Sequence, residues 1–125
     1  MGADAIPTRD EIAAAHARIR PHVRRTPLLR LEAGALGLDL PIVLKLEHLQ
    51  VTGSFKVRGA FNNLLSRAVP PAGIVAASGG NHGAAVAHAA TALGHRCVVY
   101  VPEAIARPEK LDRMRRFGAE VIVAE

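Results

Sequence analysis

A lysine at the start of a predicted helix is the first residue in this sequence that could do chemistry. Thr52, Gly53 and Ser54 are typical of a turn and a helix N-cap. Lys56 then lies in the first helical turn, where the positive end of the helix dipole favours the neutral amine, the nucleophile of Schiff-base chemistry. Alone, the pattern also fits a solvated surface lysine beside a chance cap. The helix itself is indicated by apolar residues at helical spacing: Val57, Phe61, Leu64 and Leu65.

A glycine-rich turn at residues 78–83 is the second candidate. It lies between a short apolar segment and an alanine-rich segment, which predicts a strand before it and a helix after it. Glycines allow close backbone approach, and the amides of a helix N-terminus bind phosphate or carboxylate. The spacing is not G-x-G-x-x-G, which excludes the dinucleotide fingerprint. Alone, the pattern fits equally well a tight turn whose glycines are needed only for the backbone conformation.

The helices and strands that would position these turns are predicted from the spacing of apolar residues and from capping residues, Gly and Pro. Thr8 and Glu11 form a capping box for a first helix, which stops near Pro21. The remaining elements are an extended segment at 25–28, an irregular stretch at 31–40, strands at 42–47, 74–77, 97–101 and 120–124, a helix whose first turn includes Lys56 and which extends to about 67 or 68, and helices at 84–93 and 108–117. The order β-α-β-α-β from residue 74 onwards predicts a parallel sheet with right-handed crossovers.

Composition limits the classes of function. The 125 residues are half hydrophobic and contain three Phe, one Tyr and no Trp, and the net charge is +5. A late basic cluster lies on a predicted helix without interleaved aromatic residues, which indicates a solvated helix face and argues against nucleic acid; an anionic phosphate ligand or an acidic partner remains an alternative. The cluster comprises Arg107, Lys110, Arg113, Arg115 and Arg116.

Other features indicate a cytoplasmic protein that binds neither membrane nor metal. No apolar run reaches membrane-spanning length, and no secretory signal is visible at the start. Cys97 is the single cysteine, and its apolar surroundings indicate a small core residue rather than a reactive thiol. The histidines show no metal-ligand spacing with acids or with Cys97.

The two candidate turns together resemble one enzyme family. Ser-Phe-Lys-Val-Arg-Gly at 54–59 and Ser-Gly-Gly-Asn-His-Gly at 78–83 are similar to motifs of the serine/threonine dehydratases, which depend on pyridoxal 5′-phosphate and have the tryptophan-synthase-like fold (fold type II). Arg-Thr-Pro-Leu at 25–28 resembles a segment near the start of that family, and the likeness runs to the end of the chain. Cysteine synthases and threonine synthases have less similar lysine motifs.

The resemblance implies an α/β fold of three layers, with a parallel sheet and helices on both faces. Residues 1–69 would be the first part of the large cofactor domain and 70–125 the start of the small domain, with a proline-rich break at the crossing. The rest of the family fold, including the glycine-rich loop for the cofactor phosphate, would lie beyond these residues. The full-length family form implies a homodimer.

The resemblance also assigns the site. Lys56 would carry pyridoxal phosphate as a Schiff base, Phe55 would pack against the cofactor ring, and Asn81 would donate a hydrogen bond to its 3′-oxygen. The substrate carboxylate would lie against five residues of the second turn: Ser78, Gly79, Gly80, Asn81 and His82.

The implied reaction is α,β-elimination from a small hydroxy-amino acid, L-threonine or L-serine, to a 2-oxo acid and ammonia. Serine racemases of the family carry a serine, which acts as a second acid/base, at the position of Gly79; glycine has no such group, which disfavours racemisation. Two alternatives from other classes remain open. One is a truncated, non-catalytic remnant or interaction module, and the other is an α/β anion-binding protein without the cofactor.

Overall fold

The computed structural model describes residues 6–125 and confirms the α/β class with a parallel sheet. Short 3-10 turns, among them Arg20–His22 and Glu47–Leu49, connect the regular elements. The bounds are α1, Arg9–Ile19; β1, Leu28–Leu31; β2, Ile42–Lys45; α2, Lys56–Leu65; β3, Ile74–Ala77; α3, Asn81–Ala92; β4, Cys97–Pro102; α4, Pro108–Arg116; and β5, Glu120–Ala124.

The first helix begins at the predicted capping box. Thr8 Oγ1 accepts from the Glu11 N–H at 3.3 Å, and the Thr8 N–H donates to Glu11 Oε2 at 2.8 Å. These bonds satisfy groups that a helix start leaves without an intrahelical partner, so they fix where α1 begins. The helix ends at Ile19, which is buried, close to the predicted stop at Pro21, and a 3-10 turn that contains Pro21 follows.

An antiparallel hairpin of β1 and β2 precedes the lysine turn, residues 52–60, which contains Lys56. Leu28 pairs with Lys45 and Leu31 with Ile42. The sequence predicted β2 but only an extended segment and an irregular stretch where β1 lies. The strand β1 was missed because its Leu-Leu-Arg-Leu sequence has no clear alternation of polar and apolar residues.

The second sheet is parallel, in the order β3-β4-β5, as the β-α-β-α-β pattern predicted. Ile74 pairs with Cys97, and Val98 pairs with Glu120. Because the strand order follows the chain order, two right-handed crossovers place α3 and α4 on the same face. The opposite face carries exposed side chains, of which Val75 is 70% exposed.

The core lies between this sheet, α2 and α3. Val57 and Phe61 of α2 are buried with the small alanines of α3, which let the two helices approach closely. His88 of α3 packs edge-on against Phe61 and Phe117, and burial lowers the pKa of this histidine. Cys97 is buried as predicted, and burial raises the pKa of its thiol. The core thus includes elements on both sides of the predicted domain crossing, which itself remains a prediction.

Two predicted helix bounds are wrong by more than one residue. The helix α2 ends at Leu65 rather than Arg67 or Ala68, since Ser66 leaves helical geometry and its hydroxyl donates to the Asn63 carbonyl at 3.1 Å. The helix α3 begins at Asn81 rather than Ala84, for a reason that lies in the second turn. In the described part of the chain, no helix is long and apolar enough to cross a membrane.

Candidate active site

Lys56 lies in the first turn of α2, as predicted, and is its first residue, but the N-cap position falls outside the predicted residues 52–54. The helix is capped by Phe55, which provides no side-chain hydrogen bond. Ser54 instead accepts from the Lys56 N–H, at 3.4 Å through Oγ. Gly53 has a φ of 76°, in the left-handed region that favours glycine, and its N–H donates to the Gln50 carbonyl at 2.7 Å. The chain therefore reaches Lys56 through a tight turn, and Ser54, one residue before the N-cap, satisfies the first N–H of α2.

Glu47 holds the segment that leads into this turn. Its carboxylate accepts from Nε and Nη2 of Arg58, each at 2.8 Å, and from Thr26 Oγ1 at 2.5 Å. The hydrogen bonds from Arg58, with a smaller contribution from Thr26, lower the pKa of Glu47 to about 2, although partial burial opposes this shift. The ion pair connects the residues that follow β2 to the first turn of α2.

Gln50 adds a second anchor and is 2% exposed. Its Oε1 accepts from the Arg24 N–H at 2.8 Å, and its Nε2 donates to the Arg24 carbonyl at 2.9 Å. The side chain thereby pairs with the backbone as a neighbouring strand would. Two side chains thus fix the predicted extended segment at 25–28: Gln50 bonds to Arg24 just before it, and Glu47 bonds to Thr26 within it. The Thr26 residue is 4% exposed.

The side chains of Phe55 and Lys56 border a cavity of about 620 Å³. Lys56 Nζ lies 5.1 Å from the centroid of the Phe55 ring, and both side chains are exposed. A planar aromatic ligand that bonds to the lysine amine fits these surroundings, because apolar side chains form much of the wall. The cavity lies between α2, β3 and the start of α3, and its lining includes Leu64, Val75, Ala77, His82 and Val86.

The second turn is closed by Ser78. Its Oγ accepts from the Gly83 N–H at 3.0 Å and from the Gly80 N–H at 3.3 Å, while its own N–H donates to the Tyr100 carbonyl at 2.9 Å. The hydroxyl thus caps a helix that begins at Asn81, and for this reason α3 starts earlier than predicted. The Ser78 hydroxyl proton remains available to a ligand.

Two glycines of this turn are buried where a side chain would not fit as the structure stands. A Cβ at Gly83 would lie 2.9 Å from the Ser78 carbonyl oxygen and 3.1 Å from Met114 Sδ. A Cβ at Gly79 would lie 2.5 Å from Cδ1 of Ile105. The Gly83 contact involves backbone, whereas the Ile105 contact involves the end of a side chain that is itself partly exposed. Gly83 is therefore the stricter requirement.

The first amides of α3 are free to bind an anion. Within residues 6–125, the N–H groups of Asn81 and His82 have no acceptor, and both residues are exposed. They lie at the positive end of a helix of 12 residues, where the macrodipole favours negative charge. A carboxylate oxygen is the kind of group that these donors can receive.

Arg113 joins the two turns, and the sequence did not predict this. Its Nη1 donates to Asn81 Oδ1 at 2.9 Å, and its Nη2 donates to the backbone carbonyl of Thr52. The prediction of a solvated helix face is thus wrong for Arg113, which is half-buried, although Arg115 and Arg116 are exposed. No local pattern distinguishes this arginine from its basic neighbours, because both acceptors are distant in sequence.

The predicted site residues fall into two connected groups. Phe55, Lys56 and His82 line the same cavity. Asn81 is connected to the lysine turn through Arg113. The other residues of the second turn, Ser78, Gly79 and Gly80, are not in the cavity wall, and their contact with a substrate remains a prediction.

Comparisons with known proteins identify the family of this chain. Residues 19–125 match the family model described as "Pyridoxal-phosphate dependent enzyme". The chain is 41% identical over 114 residues to the L-threonine ammonia-lyase of Geobacter sulfurreducens, covering 90% of this chain and 28% of that protein. The chain therefore spans less than a third of the length of that relative.

Solved structures give the same fold from two enzyme classes. Threonine deaminase from T.th. superimposes with a TM-score of 0.80 at 43% identity, covering 94% of this chain and 37% of that one. Serine racemase from Dictyostelium discoideum gives a TM-score of 0.82 at 36% identity, covering 97% of this chain and 40% of that one. The fold is that of the fold type II enzymes, and the chain belongs to the family of pyridoxal-phosphate-dependent enzymes.

Proposed function

We propose that this chain supplies the Schiff-base lysine and the substrate turn of an enzyme that eliminates water from L-threonine or L-serine and releases ammonia. The observation that carries the proposal is the cavity lined by both Lys56 and His82, because it brings the lysine turn next to the free amides of α3. The threonine ammonia-lyase and threonine deaminase relatives support the same reaction class.

Each of these residues would have its own role in the reaction. The first amides of α3 bind the substrate carboxylate, and Asn81 donates to the 3′-oxygen of the cofactor. Pyridoxal phosphate supplies an electron sink for the pair left when the Cα proton departs. The Lys56 amine, once the substrate amine has displaced it, would accept that proton and return it to the β-hydroxyl, which leaves as water. The released enamine hydrolyses to a 2-oxo acid and ammonia. Holding the carboxylate and the amine keeps the Cα–H bond in the reactive orientation.

Gly79 favours elimination over racemisation in this proposal. A racemase needs a second acid/base on the opposite face of the substrate, and glycine has none. Racemisation is nevertheless a second candidate, because structures of racemases superimpose on this chain as well as threonine deaminase does.

Cofactor attachment is the direct test. We expect the wild-type chain, incubated with pyridoxal phosphate, to gain the visible absorbance of lysine-bound cofactor, and borohydride reduction with peptide mapping to place the label on Lys56. Lys56→Ala should lose both signals, while Lys110→Ala, which changes a lysine outside the cavity lining, should keep them. A folded wild-type chain that gains no label would favour the non-catalytic alternative.

The reaction is tested separately with L-serine and L-threonine. We expect 2-oxo acid and ammonia in equal amounts, and no accumulation of D-serine. D-serine in excess of pyruvate would overturn the argument from Gly79 and favour the racemase.

A further inference from the structure

We propose that Arg113 is a positioning residue that locks the lysine turn to the second turn and fixes the orientation of the Asn81 side-chain amide. The first half of this proposal concerns the protein alone. The second half, the use of that amide by the cofactor, rests on the function proposed above.

The geometry carries the first half. One guanidinium donates through Nη1 to Asn81 and through Nη2 to the Thr52 carbonyl, and these acceptors lie 32 and 61 residues from Arg113 in sequence. A guanidinium is planar and presents its donors in a fixed fork, so two such bonds restrain the separation of the two acceptors. Thr52 is 2% exposed, and a Cβ added at Gly53 would lie 3.5 Å from Nη2. The guanidinium of Arg113 therefore lies directly against the lysine turn.

The chemistry of the donors carries the second half. A guanidinium has donors only, so the oxygen of the Asn81 amide must face it. The Asn81 Nδ2 group, with its two hydrogens, is thereby left to donate elsewhere. If the amide were reversed, Asn81 would present an acceptor and repel an anionic oxygen. Arg113 therefore sets Asn81 as the donor that the 3′-oxygen of the cofactor requires.

The neighbouring cations do not share this role. Arg115 pairs with Asp112 at 3.1 Å, and both side chains are more than half exposed. A lysine at position 113 would keep the charge, but its single ammonium lacks the two-nitrogen fork that bonds Thr52 and Asn81 together. Arg113→Lys thus separates charge from geometry, and Arg115→Gln is the matched control for loss of a positive charge from the same helix.

The first experiment uses the chain without cofactor. We expect two NMR signals to report the lock: the Asn81 side-chain amide and the Gly53 backbone amide, whose peptide group contains the Thr52 carbonyl. Arg113→Ala and Arg113→Lys should shift both signals, while Arg115→Gln should leave them in place. Unchanged Asn81 and Gly53 signals in a folded Arg113→Ala chain would overturn the proposal.

The second experiment measures the affinity for pyridoxal phosphate by its visible absorbance. We expect Arg113→Ala to weaken binding by about 10–100-fold, by analogy with the loss seen when a group that orients a metal-ligating side chain is removed. Arg115→Gln should bind as the wild type does. Shifted NMR signals with unchanged affinity would overturn the second half alone, and a wild-type chain that binds no cofactor would contradict the proposed function while the NMR result still decides the lock.

Discussion

The two turns of the candidate site position a helix start in different ways. The lysine turn depends on charge: Glu47 and Arg58 form a partly buried ion pair that also engages Thr26. The second turn depends on a neutral hydroxyl and on shape, because Ser78 caps α3 and Gly83 leaves room for Met114. The difference indicates that lowering the pH should reduce the stabilisation provided by the lysine turn, whereas adding side-chain volume should reduce that provided by the second turn.

The largest effect is expected from adding a methyl group to the second turn. Gly83→Ala should lower the free energy of unfolding by roughly 1–3 kcal/mol, the usual cost of overpacking. The higher helix propensity of alanine, about 1 kcal/mol, offsets only part of this cost, since the Ser78 carbonyl at 2.9 Å belongs to the backbone. Urea denaturation measures the change.

Gly80→Ala is the control for that prediction. The Cβ position of Gly80 has nothing within 4 Å, so the variant should be close to wild type in stability. Equal stabilities of the two alanine variants would contradict the view that the second turn depends on shape.

A smaller effect is expected from removing the charge in the lysine turn. Glu47→Gln should cost roughly 1–2 kcal/mol near neutral pH, allowing for solvent screening of a pair that is partly exposed. The pKa of Glu47 is about 2 in the folded chain against an ordinary 4.5, so the unfolded chain takes up the proton first as the pH falls. This stabilisation is therefore complete above about pH 4.5 and is lost between pH 4.5 and pH 2.

Denaturation curves at several pH values check that the stabilisation from Glu47 decreases as the pH falls. The gap between wild type and Glu47→Gln should narrow as the pH falls below 4.5. Glu120→Gln removes an ion pair with Arg96 in which both side chains are more than half exposed, and it should change stability by less than about 1 kcal/mol. A constant gap across that pH range would refute the electrostatic account of the lysine turn.

The smallest effect is expected from removing the hydroxyl cap. Ser78→Ala should cost about 1 kcal/mol, as for other helix caps, and the cost should be the same at pH 4 as at pH 7, because no titrating group takes part in the hydrogen bonds. Ser66→Ala, at the exposed end of α2, should cost less. If the loss of unfolding free energy in Ser78→Ala depended on pH, the two turns would not differ in their dependence on charge.

The sequence predicted those features of the fold that depend on local order. The strands β3 and β5 lie where they were predicted, since short apolar runs bounded by turn residues define them. The helix start at Asn81 was missed because glycine, asparagine and histidine in succession read as a turn, and the hydroxyl that caps α3 comes from Ser78, outside the helix.

The site was predictable only in part, for a similar reason. Lys56 could be located because helix spacing and a motif mark it. Arg113 and Glu47 could not, because their importance lies in partners that are brought together only by folding. The roles assigned to Phe55 and Asn81 toward a cofactor remain predictions.

The bond between Arg113 and Thr52 has a consequence for synthesis on the ribosome. Its partners are separated by 61 positions, so a nascent chain that has emerged only through α3 contains both turns but not the arginine that joins them. Contacts of such long sequence separation form late, because the intervening loop must be closed first. The lysine would thus emerge early and reach its final geometry only after α4 has followed.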